Sequence, residues 1–149
     1  MNTQFIQCAL ADVDTLLTLM REYYAYDGHD FVEVKLRDAV RALVTNPAYG
    51  YAWLIVDERE PIGYMAVCFG FSLEFGGRDA FVDEIYLRET YRGKGIGRQA
   101  IQYMLDVCRD TGIRALHLEV MPGNTDVITF YEKMGFENRG SRLMSQVIA

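Results

Sequence analysis

Tyr91 to Arg98 reads Tyr-Arg-Gly-Lys-Gly-Ile-Gly-Arg, three glycines interleaved with three cationic side chains between a strand-like and a helix-like run. An anionic phosphate ligand needs that combination. Glycines let the backbone take positive φ and approach a ligand closely, and a helix starting at the turn aims unpaired N–H groups and its positive dipole end at the phosphates. Arg88, Arg92, Lys94 and Arg98 fall within eleven positions of a chain whose formal net charge is −6. That overall charge argues against nucleic acid or an anionic membrane as a partner, whereas the local cluster suits a small anion. Upstream, Asp83 and Glu84 sit side by side in the strand-like run, where one carboxylate could act as a general base.

Spacing separates the glycine motifs. A Walker A loop requires Ser or Thr directly after Gly-Lys, but Lys94 is followed by Gly95. The dinucleotide fingerprint needs a third glycine where Arg98 stands, and an early strand, whereas this turn follows four strand-like runs. A bare strand-to-helix turn would not need three glycines beside three cations.

The elements that must position these residues follow from hydrophobic periodicity. Thr3 to Leu10 reads as a strand, and Leu16, Leu17, Leu19, Met20 and Tyr23 mark a helix from Asp12 that ends near Gly28. Val34, Leu36, Ala39, Val40, Leu43 and Val44 mark a second helix, stopped by Asn46-Pro47. Tyr51 to Val56 and Ile62 to Phe71 are strands joined by a hairpin at Asp57 to Pro61; a turn at Glu74 to Arg78 leads to a strand from Ala80 to Leu87. A helix runs from Gly95 to about Thr111, a strand from Ala115 to Val120 and a helix from Asp126 to Met134, with Phe136 and Leu143 to Ile148 as late strand material. Alternation along the strand sends Asp83 and Glu84 to opposite faces. The fold class is α/β, with a mixed, mostly antiparallel central sheet flanked by about four helices. At 149 residues, half of them apolar, the chain suits a single domain over residues 1–149.

Arg92-Gly93-Lys94-Gly95-Ile96-Gly97 resembles the Q/R-x-x-G-x-G/A acetyl-CoA loop of the GNAT N-acetyltransferase superfamily, with its strand before and helix after. Asn124, followed seven residues later by Tyr131 and then by Gly135-Phe136, resembles that family's second cofactor segment. The resemblance covers nearly the whole chain. Within the family it points to the spermidine/spermine (diamine) acetyltransferase-like branch, whose strand before the loop carries paired carboxylates. It implies acetyl-CoA as donor, direct acetyl transfer to a primary amine of a small molecule, and cofactor contacts from Ile85, Tyr86, Leu87, Arg92, Gly93, Lys94, Gly95, Ile96, Gly97, Arg98, Asn124 and Tyr131. By motif position, Ile85, Tyr86 and Leu87 would hold the pantetheine arm at a strand edge opened by a nearby bulge, and a freed N–H there would stabilise the oxyanion. Tyr131 matches the phenol that protonates the departing thiolate. Asp83 matches the glutamate that the resemblance to the diamine branch implies as base, with a shorter reach that favours a water relay, and Glu84 competes for the role.

The acceptor is less legible. Tyr23, Tyr26, Asp27 and Phe31, between the first two helices, and Phe71 and Glu74, in the later turn, combine aromatics with acids that could clasp an alkyl amine. A polyamine, an amino acid, an antibiotic amine and a protein amino terminus or lysine all remain open, as does an acyl-CoA-binding sensor without catalysis. Cys8, Cys68 and Cys108 are far apart and lie in apolar runs, so no disulfide framework is expected. His29 and His117 lack a second ligand at metal-site spacing, and no metal is expected. With no apolar run of spanning length and no secretion signal, the expected setting is cytoplasmic, with a homodimer suggested by analogy.

Overall fold

The computed structural model describes residues 2–149 and divides into a unit that ends at Leu118 and a second unit, Glu119–Ala149. In the first unit the chain runs β1 (Thr3–Gln7), a 3-10 turn (Leu10–Asp12), α1 (Val13–Asp27), α2 (Glu33–Thr45), β2 (Gly50–Asp57), β3 (Glu60–Ser72), β4 (Gly77–Leu87), a 3-10 turn (Glu89–Tyr91), α3 (Ile96–Asp110) and β5 (Leu116–His117). The second unit holds α4 (Thr125–Lys133). Four α-helices and one five-stranded sheet are thus present among the described residues, and the sheet order is β1-β2-β3-β4-β5. All pairings are antiparallel except β4 with β5, which is the parallel pair that a strand-helix-strand crossover through α3 demands.

The helices form where apolar spacing gives them one buried face. Val13, Leu16, Leu17, Leu19 and Met20 of α1 are buried, and Gly28 ends the helix in the left-handed region at φ 73°. Leu16, Leu19 and Val40 pack with Ala52, Leu54, Tyr64 and Ala66 on one face of the sheet. The intervening residues Trp53, Ile55, Met65 and Val67 are no more than 1% exposed and point to the other face, where α3 brings Ile96, Ala100, Ile101 and Met104. Tyr103 of α3 meets Phe5 and Trp53 there, with ring centroids 4.9 and 5.7 Å away. Burial on both faces is why β2 and β3 read as nearly continuous apolar runs.

Three strand expectations fail, the first at β1, which ends at Gln7 rather than Leu10 because Leu10 opens a 3-10 turn. No strand occurs after α4: Leu143, Met144, Val147 and Ile148 are 70–92% exposed. Their apolar residues come in adjacent pairs, so a strand there would have no single apolar face. β5 covers only Leu116–His117 rather than Ala115 to Val120, because its ladder to β4 is just Ala80↔Leu116 and Phe81↔His117. The bulge expected near Ile85 to Leu87 is present just upstream of them, and these three residues pair regularly with Met65, Tyr64 and Gly63. It lies at Asp83, the extra residue between Val82↔Val67 and Glu84↔Ala66.

Candidate active site

The bulge changes which way the acids face. An extra residue cancels one step of strand alternation, so Asp83 and Glu84, expected on opposite faces, both line one groove beneath α1 and α2. This groove of about 360 Å³ also touches Tyr24 of α1, Leu36 and Ala39 of α2, and Tyr64 and Cys68 of β3.

The two carboxylates are differently engaged. The Tyr24 hydroxyl donates to Glu84 Oε2 at 2.5 Å and the Tyr64 hydroxyl to Oε1 at 2.7 Å, so both Glu84 oxygens are occupied. Desolvation raises the Glu84 carboxyl above its ordinary value, the two phenols pull it back, and the nearby Asp83 charge raises it again. Asp83 has no hydrogen-bond or ion-pair partner among the described residues. Solvent reaches it, yet packed atoms on its other sides desolvate it enough to raise its carboxyl as well. Burial, with these two charges, pushes the Cys68 thiol up to about 11, so it stays protonated at neutral pH.

Next to the groove β4 has a bare edge. The β5 ladder stops at Phe81, so from Val82 to Leu87 the edge turned away from β3 carries no ladder partner among the described residues. An extended chain could add there by strand-like hydrogen bonds. Glu22 of α1 anchors the end of this segment, accepting from Arg88 Nε at 3.0 Å, from an Arg88 terminal nitrogen at 2.8 Å and from the Tyr86 hydroxyl at 3.2 Å. The Arg88 hydrogen bonds hold the Glu22 carboxyl below its ordinary value.

The glycine turn has the positive φ and the uncapped helix start that its composition implies. Gly93 and Gly95 have φ of 73° and 83°, and Gly95 is the N-cap of α3 without a side-chain cap. Gln99 N–H is the first in the helix to bond back, to the Gly95 carbonyl, which leaves the N–H groups of Ile96, Gly97 and Arg98 without an intrahelical acceptor. A Cβ added at Gly93, Gly95 or Gly97 would meet nothing within 4 Å. Open space over unpaired donors at a helix N-terminus fits a pyrophosphate.

Of the four clustered cations two are already committed. Arg88 is paired with Glu22; Arg92 donates to the Leu87 carbonyl at 2.8 Å, its guanidinium 4.6 Å from the Tyr26 ring centroid. Arg92 therefore braces the strand end, while Lys94 and Arg98 have no ion-pair partner among the described residues.

None of the six acceptor candidates Tyr23, Tyr26, Asp27, Phe31, Phe71 and Glu74 lines the groove. Tyr23 packs on Tyr24, Tyr64 and Tyr86 behind it, and Phe31 lies under the Arg21 guanidinium at 4.3 Å. Asp27 pairs with His29 at 2.6 Å, and Tyr26 and Phe71 are about 70% exposed. Tyr64, unnoticed in the sequence, shares the Glu84 face; its even-numbered spacing from Ala66 and Cys68 on β3 is the only local sign. Also unforeseen is the contact of His117 Nε2 with Asp79 Oδ2 at 3.0 Å, flanked by the Phe75 and Phe81 rings. In the second unit, Asn124 Oδ1 caps α4 by accepting from Val127 N–H at 3.4 Å, and Tyr131 makes edge-to-face contacts with Phe130 and Phe136. Burial raises the Tyr131 phenol above its ordinary value and keeps it protonated.

The model of the acetyltransferase (GNAT) family matches residues 13–136. A thialysine N-epsilon-acetyltransferase from Bos taurus is 28% identical over 137 residues, which is 85% of this chain and 79% of that protein. An L-methionine sulfoximine/L-methionine sulfone acetyltransferase from Pseudomonas aeruginosa is 29% identical over 99 residues, covering 64% and 56% of the two chains. Among solved structures, an integron cassette protein from the mobile metagenome of Cole Harbour Salt Marsh superposes with a TM-score of 0.87 at 36% identity, covering 98% of this chain and 91% of that one.

Proposed function

The chain belongs to the acetyltransferase (GNAT) family as an acetyl-CoA-dependent N-acetyltransferase, and from that premise we propose that it acetylates the primary amine of a small molecule held beside Asp83, with residues 1–149 as one catalytic domain. One observation carries the reading: the bulge turns Asp83 and Glu84 into the same groove, one carboxylate with a phenol on each oxygen and the other with no hydrogen-bond partner among the described residues. Glu84 supplies fixed negative charge that draws in an ammonium, and Asp83 takes the proton from its nitrogen, directly or through one water. The relatives' names support a small amine acceptor, through the N-epsilon position of thialysine in the bovine protein.

Acetyl-CoA, when bound, supplies the activated acetyl thioester. The loop N–H groups of Ile96, Gly97 and Arg98, with Lys94 and Arg98, hold the pyrophosphate. The backbone of Ile85, Tyr86 and Leu87 holds the pantetheine arm along the bare β4 edge. Tyr131 donates its phenol proton to the departing sulfur, and Asn124 keeps the first turn of α4 in place. The setting we propose is cytoplasmic and homodimeric, a second copy covering the exposed Leu143, Met144, Val147 and Ile148; no helix among the described residues is long and apolar enough to cross a membrane.

Thiol release from acetyl-CoA with a panel of small amines tests this reading. Tyr131→Phe should lower kcat at least about tenfold with little change in the amine KM. Cofactor binding without thiol release for any amine would instead mark a sensor, and unchanged turnover in Tyr131→Phe would remove the phenol from the chemistry.

A further inference from the structure

The groove is chemically lopsided. Of its fifteen lining residues eight are aliphatic and a ninth is Met20, and the only charged ones are Asp83 and Glu84 on the β4 wall. No Lys, Arg or His lines it, nor any third acid. The Tyr24 and Tyr64 hydroxyls are already spent on Glu84. Facing the acids, α2 contributes Leu36, Ala39 and Leu43, and Ala39 and Tyr49 are solvent-exposed at the mouth. The volume of about 360 Å³ lies near the lower end of the range for small-ligand sites.

From this we propose that the acceptor is a monoamine with a compact apolar body: its single ammonium meets Asp83 and Glu84, and its alkyl or aryl group fills the aliphatic part of the groove. A second ammonium would be stripped of water with no acid to receive it, and the carboxylate of an amino acid would find no cation. The groove thus selects against a polyamine and an amino acid, two of the acceptors that the sequence leaves open. The inference rests on the acetyltransferase reading for turnover but not for binding.

The test uses the full chain with saturating acetyl-CoA and the n-alkylamines from ethylamine to hexylamine, which share nearly one pKa. The expected result is a rise in kcat/KM of about fourfold per methylene, with 1,6-diaminohexane at least about tenfold poorer than hexylamine. Ala39→Phe, which fills the mouth from an exposed position, should compress the hexylamine-to-ethylamine ratio by about tenfold. A flat series, or diaminohexane matching hexylamine, overturns the inference. Calorimetric titration of the same amines separates the two readings. Hexylamine that binds in the expected rank order without being acetylated retains the groove assignment and sinks the acetyl-transfer reading, whereas no preference in binding or turnover sinks the groove assignment.

Discussion

Asp83→Asn removes the carboxylate that has no hydrogen-bond partner among the described residues and keeps the size of the side chain, so the bulge and the groove should persist. An amine with a lysine-like pKa of about 10.4 is neutral in only about one molecule in 2,500 at pH 7, a cost of about 4.6 kcal/mol. With Asp83 as the proposed base for the bound ammonium, wild-type kcat/KM should be nearly flat from about pH 6 to 9. In the variant only the free amine reacts. Its kcat/KM should fall by about 100-fold or more at pH 7 and then climb about tenfold per pH unit towards pH 10, as the neutral fraction grows. The assay is initial-rate thiol release across that pH range, with the acetyl-CoA dissociation constant measured alongside; it should stay within about twofold, since the phosphate cradle begins ten residues downstream at Gly93. Glu84→Gln should mainly raise the amine KM, because both Glu84 oxygens already accept phenol protons. An Asp83→Asn enzyme with the wild-type rate and a parallel pH profile would refute the assignment, and the steep profile in Glu84→Gln instead would exchange the two roles.

The same substitution carries a stability consequence. Burial raises the folded-state pKa of Asp83 above its unfolded value, so this group favours folding below the unfolded pKa of about 3.9, an advantage lost as pH rises through the folded value. Asp83→Asn should therefore melt above the wild type at pH 7, the gap closing towards about pH 3, and a lower melting temperature at pH 7 would contradict the desolvation. Gly95 has φ 83° at the N-cap of α3, a conformation that costs a β-branched side chain about 1–3 kcal/mol. Gly95→Val should weaken acetyl-CoA binding at least about tenfold by calorimetry, while Lys94→Ala, which removes one point charge, stays within about threefold. Ile101 is 1% exposed on the α3 face, so Ile101→Ala should cost about 2–5 kcal/mol in a denaturation titration.

What the sequence conveyed and what it hid divide along the range of the interactions. α1, α2, α3 and the β2–β3 hairpin are encoded by local apolar spacing and punctuation, and they lie within a residue or two of their expected bounds. The glycine turn is equally local, because positive φ at Gly93 and Gly95 and an uncapped helix start are written in consecutive residues. The bulge is different. Val82-Asp83-Glu84-Ile85 looks like a regular strand, and the extra residue emerges only when Ala66 and Val67 of β3 take their partners. Leu143 to Ile148 misled in the opposite sense, since β-prone residues without two-residue alternation cannot form a half-buried strand.

That division bears on the chemistry. The proposed phosphate cradle is one stretch of chain, so a phosphorylated ligand could be read from its composition and the coenzyme from the family that its motif resembles. The groove gathers residues from α1, α2, β2, β3 and β4 that no motif links, and its two acids meet in it only because one strand slips by a residue. A single deletion in β4 that restored regular pairing would send one carboxylate to the opposite face and leave the cradle intact. Acetyl-CoA should then bind normally while amine turnover collapses, which separates recognition of the donor from activation of the acceptor in one protein.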